Sequence, residues 1–359
     1  MNKHYFIILP ADTPNGPIKG AYAFANFLSK SRDVTLVFLN NGSGANANLN
    51  PAVKKIFLAN YVFGYFSKLR LYRALLAEAG GRDKVVSFSM CFYADIVNLG
   101  CKSASITCAS VRGNLIENYR IDYGFLGTLL ALAHLLTLRF FDIVVVMTLP
   151  MANQVKKYIG KQPAIIGNFV DEKTLESFRK IRQANRVPKF VFVGSLSKRK
   201  RPSVLLKSVE AIRASGVDVR LDIVGDGLLR SYIEKQIQKD GLSDIVRIHG
   251  FQQLPYELIS SADVMVLPSL SEGASRAVME ALYLGIPCVV ANVDGNSELV
   301  IEGFNGALFS SIKDLPAAML RALEISRNFD AVRPILLPKK NRQDYAVSSL
   351  INLLEPGSL

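Results

Sequence analysis

Short, continuously apolar runs alternate with stretches of helical period along almost the whole chain, and this alternation restricts the fold more than any other feature. Tyr5–Leu9, Val34–Leu39, Val85–Phe88, Ala104–Thr107 and Asp142–Met147 read as strands in the first half. Phe190–Val193, Val219–Val224, Ile245–Ile248, Val264–Leu267 and Cys288–Ala291 read as strands in the second. Between them, Pro202–Arg213, Leu228–Gln238 and Ala277–Leu284 carry apolar residues at helical spacing. A strand that is apolar along its whole length has both faces covered, so such a series builds parallel sheets flanked by helices. At 359 residues the chain exceeds one core and suits two such domains. The expected division is a first domain over 1–168, a charged linker over 169–188 and a second domain over 189–335. A C-terminal helical segment over 336–359, set off by Pro334 and Pro338, is expected to pack back on the first domain.

Composition removes several function classes. Half of the residues are apolar and 20% are charged, which is globular and not disordered. Cys91, Cys101, Cys108 and Cys288 make no CxxC pair, and the histidines are His4, His134 and His249. A zinc ribbon, a disulfide scaffold and a His-rich metal site are therefore not expected, and unpaired thiols suit a reducing cytoplasm. The start at Met1 runs into a short apolar stretch without the features of a secretory leader. Phe125–Leu149 has the length of a membrane span but contains His134, Arg139 and Asp142. A buried helix, Gly124–Leu138, running into a buried strand is the expectation there.

The net charge of +13 is unevenly placed, with 18 Lys and Arg against 8 Asp and Glu over residues 1–170. A basic first half faces something anionic: nucleic acid, a membrane surface or a phosphorylated substrate. Within it, residues 54–73 hold Lys54, Lys55, Lys68, Arg70 and Arg73 among several aromatics, with no acid before Glu78. That mixture suits anionic lipid headgroups, and also single-stranded nucleic acid. An ordinary amphipathic helix with a solvated basic face is the competing reading.

The most informative segment runs from Pro268 to Pro287. It follows the strand Val264–Leu267 and contains Glu272, Gly273, Ala274, Ser275, Arg276, Ala277, Glu280 and Gly285. Ser275 is placed to cap a helix, Gly285 to end it in the left-handed conformation, and Pro287 to stop it. A helix amino terminus opening at the carboxyl end of a parallel strand is a ready site for a diphosphate. One acid lies on the loop and another about two turns into the helix, at most ~12 Å apart along it. Carboxylates at that separation can accept hydrogen bonds from sugar hydroxyls at one end and a ribose at the other. Taken alone, the pair reads equally as a solvated loop acid and an exposed helix acid.

Its surroundings favour the first reading. The chain resembles the retaining glycosyltransferases of family four, whose Glu-x7-Glu element appears as Glu272 to Glu280 before Gly285-Ile-Pro-Cys-Val-Val. Phe190-Val-Phe-Val-Gly194-Ser-Leu-Ser-Lys198-Arg199-Lys200, Ile223-Val-Gly225-Asp226-Gly227 and Val246-Arg-Ile-His-Gly250-Phe251 follow the same family in order. So do Ser261-Ala-Asp263-Val-Met-Val-Leu-Pro268 and Glu302-Gly-Phe-Asn-Gly306. The resemblance is strong over about residues 165–310 and weak before them. It implies an α/β protein of the GT-B fold, two doubly wound Rossmann-like domains facing across a cleft. The second of them would bind the nucleotide sugar and the first would serve the acceptor.

The resemblance also implies roles. Glu272 would contact the donor sugar, Glu280 the ribose, and the amides of Ser275 to Ala277 the diphosphate. Lys200 matches a basic residue that neutralises the leaving diphosphate. The Arg expected beside it is Ser195 here, with Lys198 and Arg199 as substitutes, and Lys198–Arg201 reads otherwise as a solvated basic turn. Gly194 and Gly273 would flank the phosphates, and His249, Gly250 and Phe251 would lie beside the base, although His249 reads equally as a structural histidine. In the first domain, Gly16 and Lys19 fall at the family's Gly-rich turn. Arg112 and Asn114 stand near the place where many relatives carry a His.

These readings converge on a metal-independent, retaining hexosyltransferase without a cofactor. It would move a sugar from a nucleoside diphosphate, UDP foremost, to a glycan, lipid-linked by expectation, in O-antigen, capsule or lipopolysaccharide assembly. The expected location is cytoplasmic, peripheral on the inner face of the membrane through residues 54–73, with nucleic acid not a partner. Positive groups and a helix terminus aimed at a departing diphosphate suit that chemistry. A GT-B epimerase or phosphorylase and a basic nucleic-acid-binding protein are the alternatives. The epimerase lacks an evident catalytic His, the phosphorylase a convincing cofactor lysine, and the third any binding motif.

Overall fold

The computed structural model of the chain describes residues 3–13, 16–42, 44, 49–179, 181, 185–293, 295–330 and 332–355. The chain divides into a first unit, Met1–Phe169 with Gln343–Leu359, and a second unit, Val170–Arg342.

The first unit runs β1 (His4–Ala11), α1 (Gly16–Leu28), β2 (Val34–Asn40), β3 (Lys54–Phe57), α2 (Tyr65–Glu78), β4 (Val85–Met90) and α3 (Phe92–Leu99). It continues through β5 (Ile106–Val111), α4 (Leu115–Leu138), β6 (Ile143–Val146), α5 (Leu149–Ile159) and β7 (Ala164–Ile165). The seven strands are parallel in the order β3-β2-β1-β4-β5-β6-β7, so the winding reverses beside β1. Alternation along β1 feeds two cores. Tyr5, Ile7 and Leu9 pack with α1, while Phe6 and Ile8 pack with Tyr72 and Leu76 of α2 and Ala94 and Val97 of α3.

The second unit runs α6 (Glu172–Glu176), β8 (Lys189–Val193), α7 (Val204–Ala214), β9 (Arg220–Val224), α8 (Arg230–Lys239), β10 (Val246–Gly250) and α9 (Tyr256–Ser260). It then continues through β11 (Val264–Leu267), α10 (Arg276–Tyr283), β12 (Cys288–Ala291), α11 (Asn296–Leu299), β13 (Gly306–Phe309) and α12 (Leu315–Arg327). Its six strands are also parallel, in the order β10-β9-β8-β11-β12-β13. The middle strands β11 and β12 are buried throughout, as the unbroken apolar runs require.

The last helix, α13 (Gln343–Leu354), returns to the first unit and buries Ala346, Val347, Leu350, Ile351 and Leu354 in its core. Glu355 anchors it. The carboxylate accepts a 2.6 Å bond from the Tyr5 hydroxyl and two 3.2 Å bonds from the Arg32 guanidinium.

Three features differ from the sequence reading. The strand expected over Ala104–Thr107 lies at Ile106–Val111, and two edge strands, β3 and β7, carry no strong apolar signal of their own. Residues 54–73 are not one basic helix: they form β3, a short 3-10 turn at Leu58–Asn60 and the start of α2. Lys68 is buried and donates to Asn40 Oδ1 at 2.7 Å, and Lys55 lies 3.4 Å from Asp12 and over the Tyr22 ring. Lys68 is thus withdrawn from the surface, while Lys54, Lys55, Arg70 and Arg73 stay exposed.

The third difference is α4. It was expected to be buried, yet its outward stripe is open: Phe125 is 81% exposed and Leu126 67%. The helix packs against α3 and α5 by one stripe only, through Gly127, Ala131, His134, Leu135 and Leu138. Among the described residues it is the one helix long and apolar enough to cross a membrane.

Candidate functional site

The loop between β11 and α10 is fixed by the neighbouring loop between β8 and α7. Leu270 N donates to the Arg199 carbonyl at 2.8 Å, Arg201 Nε to the Pro268 carbonyl at 2.8 Å, and Arg199 Nη1 to the Ser271 carbonyl at 2.9 Å. Arg201 adopts a left-handed φ of 48°, which is uncommon outside glycine and is held by these bonds. The turn thus presents Lys200 toward the acidic loop.

Glu272 is buried on that loop, and Lys200 Nζ lies 2.5 Å from its Oε1, with Arg199 Nη1 at 3.6 Å from the same oxygen. Burial pushes the Glu272 pKa up, but Lys200 and Arg199 outweigh it, so the carboxyl sits below its ordinary range and stays ionised. Glu280 is buried as well, on the fifth residue of α10, with Tyr256 Oη at 3.4 Å and Arg276 Nε at 3.6 Å. It therefore stands about one turn into the helix, closer than the two turns expected from the sequence. The reading of the two acids as solvated surface groups is excluded.

Ser275 occupies the N-cap position in an extended conformation, but its side chain makes no cap bond. The first-turn amides of a helix have no intrahelical acceptor, and here the cap hydroxyl does not take them. With the buried Gly273 and Ala274 before them, they form a helix amino terminus at the carboxyl end of β11, the kind of place that suits an anion. The helix ends as read, with Gly285 at a φ of 79°.

The carboxyl ends of β8, β9 and β10 meet beside this loop. Gly194 N donates to Val224 O and Gly225 N to Gly250 O. A Cβ on Gly225, whose φ is 144°, would fall 1.8 Å from the Gly194 carbonyl, so only glycine lets these two turns close. Ser195 is exposed, with its hydroxyl 3.2 Å from that of Ser197, and Lys198 is exposed beside it. Phe251 is 54% exposed just past Gly250, at the same end of the sheet. His249 sits at an irregularity in the β10 ladder and lies 2.7 Å from Asp222, whose other oxygen holds Lys189 at 2.7 Å. Its side chain serves this cross-strand network, in keeping with a structural histidine.

In the first unit, Gly16 opens α1 and Lys19 is half-buried in its first turn; Pro14 and Asn15 of that Gly-rich turn lie outside the described residues. Arg112, at the end of β5, is held by the Met90 and Met147 sulfurs and by Asn168 Oδ1 at 3.3 Å. Asn114 caps α4, accepting from Glu117 N at 3.1 Å and from Gln154 Nε2 at 2.6 Å, so its side-chain oxygen is structurally occupied. The structure thus gathers Glu272, Lys200 and Arg199 directly, with Glu280 and the helix start alongside. Sequence reasoning missed Tyr256, for which no local signal exists.

The family model of the glycosyl transferases group 1 matches residues 173–331, the stretch that carries this loop and both acids. That match takes in most of the second unit and less than half of the chain. Over 122 residues the chain is 34% identical to the UDP-Gal:alpha-D-GlcNAc-diphosphoundecaprenol alpha-1,3-galactosyltransferase of Escherichia coli, covering 33% of this chain and 32% of that protein. The amylovoran biosynthesis glycosyltransferase AmsK of Erwinia amylovora is 27% identical over 191 residues, 49% of this chain and 47% of that one. The match spans about a third to half of the length of these curated relatives.

Across the whole chain the fold is GT-B. The structure of Anabaena Alr3699/HepE in complex with UDP and glucose superposes with a TM-score of 0.75 at 17% identity, covering 98% of this chain and 99% of that one. The apo lipopolysaccharide outer core galactosyltransferase WaaB gives a TM-score of 0.71 at 16% identity, covering 98% of each. The stretch matched by the group 1 family model thus lies in the second of two parallel α/β units, which also carries Glu272 and Glu280.

Proposed function

We propose that this chain is a retaining glycosyltransferase. It moves a sugar from a UDP-sugar to a glycan acceptor borne on a lipid carrier, during assembly of a bacterial surface polysaccharide. The observation that carries the reading is the pair of buried acids bracketing an uncapped helix start, one of them held by Lys200 at 2.5 Å. The UDP-bound relative and the relatives of surface polysaccharide and lipid-diphosphate chemistry support the choice of donor and acceptor.

The division of labour follows from charge. As the sugar–phosphate bond lengthens, negative charge builds on the diphosphate and positive charge on the anomeric carbon. The α10 amides and Lys200 stabilise the departing diphosphate, and they are already oriented before the reaction begins. Glu272, kept ionised by its cations, accepts hydrogen bonds from donor sugar hydroxyls. Glu280 accepts from the ribose, fixing the donor's far end. Neither acid needs to act as a proton shuttle, which sets this arrangement apart from a two-carboxylate hydrolase. The reaction runs where a lipid carrier is accessible, on the inner face of the membrane.

The test is transfer of labelled sugar from a panel of UDP-sugars to lipid-linked glycan acceptors. Glu272→Gln and Glu280→Gln should each lower the rate about 100-fold while the chain stays folded, Glu272→Gln also losing the stability of its pair with Lys200. Unaltered rates in both variants would defeat the assignment.

A further inference from the structure

From Phe125 to Leu138, α4 carries no charged side chain, and the nearest on either side are Asp122 and Arg139. Phe125, Leu126, Leu129, Leu130 and Leu136 form an outward stripe, each between 44% and 81% exposed. Spacings of one, three and one residues, then six, keep them on one side of the helix. The opposite side is anchored: Gly127 and Ala131 are buried, and the buried His134 ring lies 2.8 Å from the buried Asp95 carboxylate. The chain turns into this segment at Gly124, whose φ of 63° interrupts the helix. A Cβ on Gly127 would fall 1.9 Å from the Tyr119 carbonyl, so the two halves touch through glycine.

A contiguous exposed apolar stripe of this kind marks an interaction surface. We propose that the α4 stripe is a membrane-docking surface that lies flat in the interfacial layer of an anionic bilayer. The fourteen-residue segment is ~21 Å long, short of the ~30 Å hydrocarbon core, and its inner side is fastened to α3, so it lies on the membrane and does not cross it. Charge decides between a bilayer and a second copy of the same face. Arg139 follows the stripe, Lys102 donates to the Phe140 carbonyl at 2.7 Å, and Lys156 and Lys157 stand exposed on the adjoining α5. Of the neighbouring acids, Glu117 is paired with Arg120, and Asp142 is shared by Arg82 and by Lys102 at 3.4 Å, so the single Asp142 charge is set against two cations and Asp122 remains at the near end. Two such basic faces repel each other, whereas phosphatidylglycerol headgroups neutralise them.

The inference rests on the membrane-borne acceptor reading but is measured without sugar transfer. A chain that binds vesicles and lacks transferase activity would defeat only the proposed function. The chain contains no tryptophan, so Phe125→Trp introduces a single indole on the stripe. With phosphatidylcholine/phosphatidylglycerol vesicles its emission should shift to the blue and be quenched by brominated acyl chains. The wild-type chain should float with these vesicles and release at high salt. The Leu126→Gln/Leu129→Gln/Leu130→Gln variant, altered only at exposed positions, should keep its circular dichroism and lose partitioning about tenfold or more. An unquenched indole, wild-type flotation by the triple variant, or a wild-type chain that does not float would overturn the proposal. So would a concentration-dependent dimer that the triple substitution abolishes while vesicle binding stays unchanged.

Discussion

Replacing Lys200 with methionine tests the electrostatic core of the site in the ligand-free protein. The ammonium lies 2.5 Å from Glu272 Oε1, so at an effective dielectric near 20 the gross attraction is roughly 7 kcal/mol. Most of that is offset by returning the lysine's hydration cost, and Arg199 at 3.6 Å remains to hold the carboxylate. The net loss should be about 2 kcal/mol, seen as a fall of ~4–8 °C in the melting of the second unit. Glu272→Gln removes the charge that Lys200 serves, so the double variant should be more stable than the two single losses summed. A double-mutant cycle at neutral pH should give a coupling above ~1 kcal/mol. The sign with pH follows from the lowered Glu272 pKa. A carboxyl whose native pKa is depressed contributes stability above its ordinary pKa, and that contribution is lost as pH falls through the native value. The difference between wild type and Lys200→Met should therefore be full at neutral pH and shrink as pH drops below the ordinary carboxylate range. Single losses that add to within ~0.5 kcal/mol, or a difference that does not change with acid, would refute the reasoning.

Two further outcomes follow from burial. Cys101, Cys108 and Cys288 are buried, and burial pushes their thiols up, Cys101 to about 12, while the exposed Cys91 is pushed to about 11. At mildly alkaline pH a thiol reagent should modify Cys91 alone, and slowly, with all four reacting once denaturant is added; rapid labelling of the other three in native buffer would contradict the packing. Glu355→Ala leaves the nearly buried Arg32 and the Tyr5 hydroxyl without their acceptor. It should cost the first unit ~3 kcal/mol and make α13 sensitive to limited proteolysis, whereas unchanged protease resistance would mean that α13 is held by its apolar face alone.

The alternating apolar runs determined the two parallel sheets. Val264–Leu267 and Cys288–Ala291 carry the boundaries found in the structure, because a strand covered on both sides must be apolar throughout and the residues after it break the run. The Glu272 to Glu280 element, the closing Gly285 and the cations near position 200 were equally legible, being local in the chain. Tertiary structure alone decided what lies next to what. β3 and β7 exist because edge strands pair with a neighbour already in place, and Lys54–Phe57 has no strand pattern apart from β2. Lys68 became buried because Asn40 stands beside it. The outward stripe of α4 is as apolar as its inward one, so composition gave no sign of which side would be left open. Periodicity reports the preference of a backbone segment for itself. Burial, charge pairing and exposure depend on partners far away in sequence, and those come into being only when the sheets close over their helices.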